Sequence, residues 1–394
     1  MSDTESESTV RRLASLRDRL EAGMDRREFL RTLVTGGYAV GMAHFLGVED
    51  FLSAADGEVP VVTAVVREDP SDPYSLTERT QTVPADWYAA VETATELNDR
   101  LARLAFTGYL GSAVVPGSYD SATASVSIGL SSDADSIPEA ISAFADDISI
   151  NPETFIEIES IEEGPDPTTA EPRFASHIPA DGPPSGVACE TSSSMATLSP
   201  ALYDPTDEQA FFATAEHAFE EADSAIGERV TLPVEGGDLL TLGAVEQAFP
   251  VEDIVAVSPD DGDGVQPSSW IDAPEPVRVT GQLTKFGLAD LIARDEELEK
   301  VGALTGHTTG RIQGIDAVTC FTDHFCRRGQ IRWGGEMDLT DGDSGSVSYY
   351  PDPEGADDTV LVAGLNNART WWPGQSYVWG VSAYHLTEMQ GYHF

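Results

Sequence analysis

The sequence predicts a mainly β protein preceded by a small mixed α/β region, and three observations lead to this prediction. Short β-type segments recur between turn residues throughout residues 185–394. Residues 84–105 place apolar side chains at helical spacing, which is the pattern of an amphipathic helix. Between these parts, residues 161–184 are rich in Pro, Gly, Asp and Thr, as expected of a linker or an extended arm.

The N-terminal region, residues 56–160, combines helix and strand patterns. Its first helix, expected at residues 84–105, repeats Trp87, Val91 and Leu97 at helical intervals. The region is therefore expected to be a small α/β unit. The other expected elements are strands at residues 59–66, 123–130 and 155–159 and a helix at residues 137–144.

The β-rich region, residues 185–394, is expected to form one all-β domain. Many short strands separated by turn residues are typical of a sandwich or barrel of about 200 residues. No internal repeat is evident. The expected strands lie at residues 195–198, 210–214, 229–233, 254–257, 277–283, 309–315, 346–350, 359–365 and 377–383.

Acidic residues dominate the composition. The chain has 68 Asp and Glu against 22 Lys and Arg, for a formal net charge of -46. Self-repulsion of this kind destabilises a compact state, but at 1 M salt the Debye length falls to about 3 Å and the repulsion is screened. Because the acidic residues are scattered among apolar ones, we expect a folded, salt-adapted protein. The same negative field excludes nucleic acid as a partner.

An export signal is expected at residues 1–55. Arg26 and Arg27 precede a moderately apolar, glycine-bearing stretch at residues 32–46, which is the pattern of a twin-arginine signal. The stretch is short for a membrane span. We therefore expect a secreted protein that contacts the membrane transiently, with cleavage near residues 53–55 or near Ala43. Retention as an anchor, and an amphipathic helix that happens to carry two arginines, are the alternatives.

Three segments of the β-rich region carry acid–base or nucleophilic chemistry, in the order His217, Asp253, Ser344. A serine hydroxyl becomes a good nucleophile when an imidazole takes its proton. A carboxylate holds that imidazole in one tautomer and stabilises its protonated form. An acyl-transfer site also needs N–H donors for the oxyanion, and glycine lets the backbone approach closely. Gly342 and Ser344 would supply these two donors.

These motifs resemble those of the chymotrypsin-like serine proteases, especially the bacterial streptogrisin and α-lytic branch. Gly342-Asp343-Ser344-Gly345 is similar to that family's nucleophile motif, and Thr214-Ala215-x-His217 to its histidine motif. Residues 300–312 resemble the stretch that opens the first hairpin of its second barrel, and residues 362–365 fall where the family lines its substrate channel. The resemblance covers about residues 185–394. It implies two six-stranded antiparallel β-barrels and a serine endopeptidase with a His217, Asp253, Ser344 triad that acts on proteins or peptides.

The resemblance implies two further roles. Asp338 falls at the floor of the primary specificity pocket, where a carboxylate would favour Arg or Lys in the substrate; one more surface aspartate is the alternative. The N-terminal region has the position of a pro-region, which would inhibit the protease or aid its folding before being cut away. A permanent accessory domain is the alternative for that region.

The chain also departs from the family pattern. Ala218 follows His217 where many relatives have cysteine, so Cys189 lacks its expected partner. Glu216 is an unusual acidic neighbour that would raise the pKa of the imidazole. The spacing of Cys320 and Cys326 allows a hairpin disulfide in an oxidising compartment, and buried thiols are the alternative.

We expect neither a cofactor nor a metal. The segment Asp260-Asp261-Gly262-Asp263 offers oxygen ligands for calcium but lacks the terminal Glu of an EF-hand, so a solvated acidic loop is expected.

Two other functions fit parts of the sequence. An α/β-hydrolase would use Ser344 with Asp357 or Asp358 and His385, but its Gly-x-Ser-x-Gly elbow fails because position 346 is serine. A non-catalytic exported β-domain would be a binding module that needs none of the motif residues intact.

Overall fold

The computed structural model describes residues 57–104, 108–130, 149–154, 171–219, 224–260, 264–322, 325–335, 337–372 and 375–394. The expected export signal, the helix at 137–144 and the strand at 155–159 lie outside these ranges. Strands dominate the described part of the chain, as the sequence predicts. No helix in this part is long and apolar enough to cross a membrane.

In the N-terminal region, the predicted helix and two of the three predicted strands are present. The helix is α1, and its buried face includes Trp87, Val91 and Leu101. Three strands were not predicted: β2 (Leu76–Pro84), β3 (Tyr109–Pro116) and β5 (Ser149–Thr154). Most side chains of β2 are polar and at least partly exposed, so this strand lacks an apolar pattern. The elements are β1 (Glu58–Arg67), β2 (Leu76–Pro84), α1 (Ala85–Leu104), β3 (Tyr109–Pro116), β4 (Ala124–Leu130) and β5 (Ser149–Thr154).

A seven-stranded sheet, here called the first sheet, follows the linker. Its strands are β6 (Ala188–Glu190), β7 (Met195–Thr197), β8 (Leu202–Asp204), β9 (Gln209–Thr214), β10 (Arg229–Pro233), β11 (Leu239–Phe249) and β12 (Ile254–Pro259). They are paired in the order β7-β6-β10-β11-β12-β9-β8. The amide of Ser199 donates to the carbonyl of Ala213 at 2.9 Å, which brings the chain after β7 beside β9.

Six of the remaining strands close into an antiparallel ring, here called the barrel. The ring runs β15-β16-β17-β20-β19-β18 and returns to β15, so these six strands form a closed antiparallel barrel. The elements of this part are β13 (Trp270–Ile271), β14 (Val277–Leu283), α2 (Lys285–Ala293), β15 (Glu297–Gly302), β16 (Gly306–Thr322), β17 (Phe325–Trp333), β18 (Val347–Pro351), β19 (Thr359–Trp372), β20 (Gln375–Ser382) and α3 (Ala383–Gln390).

Strands of the N-terminal region extend the sheet of the barrel at two places. β1 pairs antiparallel with β14, which itself pairs with β19, and β3 pairs antiparallel with β16. The two parts also share one apolar core, in which Trp87 and Val114 pack in the same cluster as Leu298 and Trp333. The pairing therefore crosses the boundary expected at residue 160.

Candidate active site

His217 and Asp253 are brought together by the pairing of two strands. β9 ends at Thr214, which lies opposite Val255 near the start of β12. The residue just before β12 therefore lies next to the short 3-10 turn Glu216–Phe219, which follows β9. The Nδ1 atom of His217 lies 2.9 Å from Oδ2 and 3.1 Å from Oδ1 of Asp253. The amide of His217 also donates to Oδ1, at 2.9 Å.

Ser344 reaches the same histidine from the loop between β17 and β18. Its Oγ lies 3.0 Å from Nε2 of His217. Backbone contacts tie this loop to the first sheet, because the amide of Thr197 donates to the carbonyl of Ser344 at 2.8 Å. Gly345 has a φ of 93°, and a Cβ there would fall on the carbonyl oxygen of Thr197. The position therefore requires glycine.

The structure thus brings together the three residues predicted from the sequence, here called the His–Asp–Ser cluster. Each nitrogen of the His217 ring faces one partner, Asp253 at Nδ1 and Ser344 at Nε2. A carboxylate at Nδ1 fixes the tautomer that leaves Nε2 free to accept the hydroxyl proton. Asp253 is fully buried, and the His217 side chain is 29% exposed, so a substrate can reach the ring.

Two backbone amides beside Ser344 are free to bind an anion. The amides of Asp343 and Ser346 donate to carbonyls within the loop, and the amide of Gly345 donates to the carbonyl of Asn366 on β19. Among the described residues, the amides of Gly342 and Ser344 donate no backbone hydrogen bond. These are the two donors predicted from the sequence, and the φ of 99° at Gly342 is one that glycine adopts readily.

A buried lysine supports the loop that carries Ser344, and no sequence motif predicts a role for it. Lys300 on β15 is fully buried, with Nζ 3.4 Å from Oδ2 of Asp343. Asp343 is also fully buried, and its Oδ1 accepts the amide of Leu304 at 2.8 Å. Burial lowers the pKa of Lys300, and the charge of Asp343 opposes that shift. The feature of the sequence that could have pointed to Lys300 is its rarity, because it is one of only two lysines in the chain.

Arg327 is a second residue that the sequence analysis missed. Its Nη1 lies 2.8 Å from Oδ2 of Asp253. No local motif marks this arginine, because the contact joins β17 to the turn before β12 across the site.

Asp338 is held in a local turn. Its carboxylate accepts the amide of Gly335 at 2.8 Å, and burial raises its pKa. No hydrogen bond or ion pair within the described residues joins it to the His–Asp–Ser cluster.

The cysteines divide into a bridge and a buried thiol. Cys320 and Cys326 form a disulfide, whereas Cys189 is free and fully buried. Burial raises the pKa of the Cys189 thiol to about 12.

The structure removes the geometric basis of the α/β-hydrolase alternative. Ser344 is paired with His217, whereas His385 lies on α3 against Gly329, where a Cβ would overlap the imidazole. In the segment expected to be a solvated acidic loop, Asp260 forms an ion pair with Arg229, and residues 261–263 lie outside the described ranges. The described residues contain no group of three or more His, Cys, Asp or Glu that could hold a metal.

Comparison with known proteins gave matches among solved structures alone. No family model matches the chain, and neither does any curated protein. One similar structure is a glutamic-acid-specific serine protease described as using a histidine triad in substrate binding. It is 16% identical to this chain, and the match covers 53% of this chain and 98% of that one, with a TM-score of 0.37. Nocardiopsis protease is 14% identical over 53% and 96% of the two chains, with a TM-score of 0.38. Thermobifida fusca protease A is 17% identical over 53% and 96%, with a TM-score of 0.37. Similarity at this level does not assign an activity.

Proposed function

We propose that this protein is a serine endopeptidase that hydrolyses protein or peptide substrates through an acyl-enzyme. The observation that carries the proposal is the His–Asp–Ser cluster, with 3.0 Å from Ser344 Oγ to His217 Nε2 and 2.9 Å from His217 Nδ1 to Asp253. The unengaged amides of Gly342 and Ser344 beside it add the donors that acyl transfer needs.

In the first half of the proposed reaction, Ser344 Oγ attacks the scissile carbonyl carbon while its proton passes to Nε2 of His217. The carbonyl oxygen becomes an oxyanion, which accepts hydrogen bonds from the amides of Gly342 and Ser344. His217 then gives the proton to the leaving amine as the C–N bond breaks, which leaves an ester on Ser344.

Water completes the reaction by the same route. His217 takes a proton from the water, the hydroxyl attacks the ester carbon, and the proton returns to Ser344 Oγ as the acid product leaves. Asp253 holds the imidazole and stabilises its charged form in both halves. Apart from the water, side chains and backbone amides of this chain supply the groups used.

A fluorophosphonate probe tests the proposal directly. In molar salt, the intact chain should be labelled on Ser344 and should cleave a peptide library, because the probe reacts with an activated serine. Ser344→Ala should abolish both. Ser346→Ala is the matched control, since it removes a serine two positions away and should still be labelled. Absence of labelling in a folded chain would contradict the protease and favour the non-catalytic binding module.

We also propose that the protein is exported through the twin-arginine route and works in concentrated salt. The paired arginines before an apolar stretch support export, and the net charge of -46 supports salt adaptation.

Mass spectrometry of the secreted protein tests the proposed export. A mature N-terminus near residues 44–56 is expected if the signal alone is removed, and one near residues 165–190 if the N-terminal region is removed as well. An N-terminus at Met1 in cells without secreted product would contradict export.

A further inference from the structure

Arg327 contacts the carboxylate of the His–Asp–Ser cluster, yet no step of the proposed mechanism uses it. Its Nη1 lies 2.8 Å from Oδ2 of Asp253, the oxygen that also lies 2.9 Å from Nδ1 of His217. The Asp253 side chain is fully buried and that of Arg327 is 14% exposed. Salt screens such a shielded pair much less than a surface pair, so the contact persists under the conditions proposed for this protein.

The arginine reaches the cluster from the barrel, whereas His217 and Asp253 belong to the first sheet. In the β16–β17 hairpin, Arg327 lies opposite Thr319. The adjacent pair of this register is Cys320 and Cys326, which the disulfide joins. The disulfide therefore fixes the hairpin one residue away from the arginine.

We propose that Arg327 is a positioning residue of the active site, which holds Asp253 against His217 through the carboxylate oxygen that also faces the imidazole. The inference rests on the proposed protease function. The guanidinium keeps Oδ2 in place, so that the carboxylate cannot turn away from the ring. The positive charge of Arg327 also offsets part of the negative charge of Asp253. The protonated imidazole of His217 is therefore stabilised less than it would be by Asp253 alone.

Other charged groups adjoin the cluster, and all of them stay unchanged in the variants below. They are Glu216 on the turn of His217, Glu252 beside Asp253, His385 against Gly329 of the same hairpin, and the Lys300–Asp343 pair next to Ser344. A change in pH dependence on substituting Arg327 is therefore attributable to that arginine.

The test compares kcat/KM as a function of pH in the full chain and its Arg327 variants. Arg327→Gln removes the charge, so we expect kcat/KM to fall about tenfold and the acid limb of the profile to move up by about one pH unit. Arg327→Lys keeps a positive charge and should leave the acid limb near its wild-type position. The matched control is Arg328→Gln, because Arg328 donates to the carbonyl of Ala102 rather than to Asp253.

A folded Arg327→Gln chain with wild-type kcat/KM and an unmoved acid limb would overturn the inference. The same applies if Arg328→Gln shifts the limb equally. A wild-type chain that neither binds the fluorophosphonate nor cleaves peptides would overturn the proposed function instead, and that measurement comes before any Arg327 variant. The two failures are therefore distinguishable.

The disulfide gives a second test that applies even if Arg327→Gln does not fold. The paired substitution Cys320→Ser and Cys326→Ser releases the hairpin next to Arg327 while leaving the arginine in the chain. We expect the same direction of change as for Arg327→Gln, with a lower kcat/KM and an acid limb at higher pH. Unchanged values of both in the chain without the bridge would contradict the role given to the hairpin.

Discussion

At the scale of single residues, Asp253 has a backbone conformation that suits its position in the cluster. Its φ is 58°, in the left-handed region, which costs a non-glycine residue on the order of 1–3 kcal/mol, although aspartate adopts it more readily than most. Its carbonyl accepts the amide of Glu216 at 3.3 Å, and its carboxylate accepts the amide of His217. The backbone of the histidine turn therefore holds Asp253 together with the imidazole.

The buried pair of Lys300 and Asp343 gives the first residue-scale prediction. Lys300→Met leaves the carboxylate of Asp343 buried without its cation, so we expect the free energy of unfolding to fall by about 3–5 kcal/mol. We also expect kcat/KM to fall, because Asp343 lies between Gly342 and Ser344. Denaturant unfolding and peptide cleavage in molar salt measure the two effects.

Lys285→Met is the matched control for Lys300→Met, since Lys285 is the only other lysine and lies partly exposed at the start of α2. It should change the unfolding free energy by no more than about 0.5 kcal/mol. Equal losses in the two variants would contradict the role of Lys300.

The free thiol gives a prediction for alkaline pH. Burial raises the pKa of Cys189 from 9.0 to about 12, so the folded chain keeps this proton when the unfolded chain has lost it. The thiol's contribution to stability is complete below about pH 9 and is lost as the pH rises towards 12, by up to about 1.4 kcal/mol per pH unit. In Cys189→Ala, unfolding free energies between about pH 8 and 11 should decline less steeply than in wild type. Parallel curves would show that the thiol does not titrate in this way.

At the scale of elements, the turn that holds Asp338, in the loop between β17 and β18, allows a test of the role of this residue. The specificity role predicts that Asp338→Asn and Asp338→Ala both lose any preference for Arg or Lys at the cleaved bond. The contact with the amide of Gly335 predicts instead that Asp338→Ala alone loses stability, by about 1 kcal/mol, because asparagine keeps an acceptor oxygen. We expect the second outcome, and unfolding curves with a peptide-library profile for each variant measure it. A lost Arg or Lys preference in Asp338→Asn would restore the specificity role.

Local patterns explain which elements the sequence predicted. The period of α1 and the motifs around His217 and Ser344 lie within short stretches, so their residues identify them without knowledge of the fold. β2 carries few apolar side chains and gave no signal. Arg327 and Lys300 meet their carboxylates through contacts between distant segments. In a chain this rich in Asp and Glu, nothing local shows which carboxylate an isolated cation will contact.

At the scale of the whole molecule, the apolar core that the N-terminal region shares with the barrel bears on whether that region can be removed. By its place in the sequence alone, the N-terminal region resembles a removable pro-region. In the structure, the region adds strands to the barrel's sheet beside β14 and β16. Side-chain contacts add to this pairing, since Asn98 donates to the carbonyl of Asp316 at 2.7 Å and Arg67 to Ser269 at 2.9 Å. Release of the region would expose the apolar cluster that both parts bury.

Cleavage of the chain between the two parts tests this arrangement. A recognition site for a sequence-specific protease, inserted in the expected linker within residues 161–170, allows the covalent connection to be cut in the Ser344→Ala background, where self-digestion is blocked. Because β1 and β3 remain paired and the core remains shared, we expect both fragments to elute together from a sizing column in molar salt and to separate in denaturant. An uncut sample is the control for elution volume. Separation of the fragments under native conditions would make the N-terminal region a removable pro-region, whereas co-elution means that cutting the linker alone does not free the protease part from it.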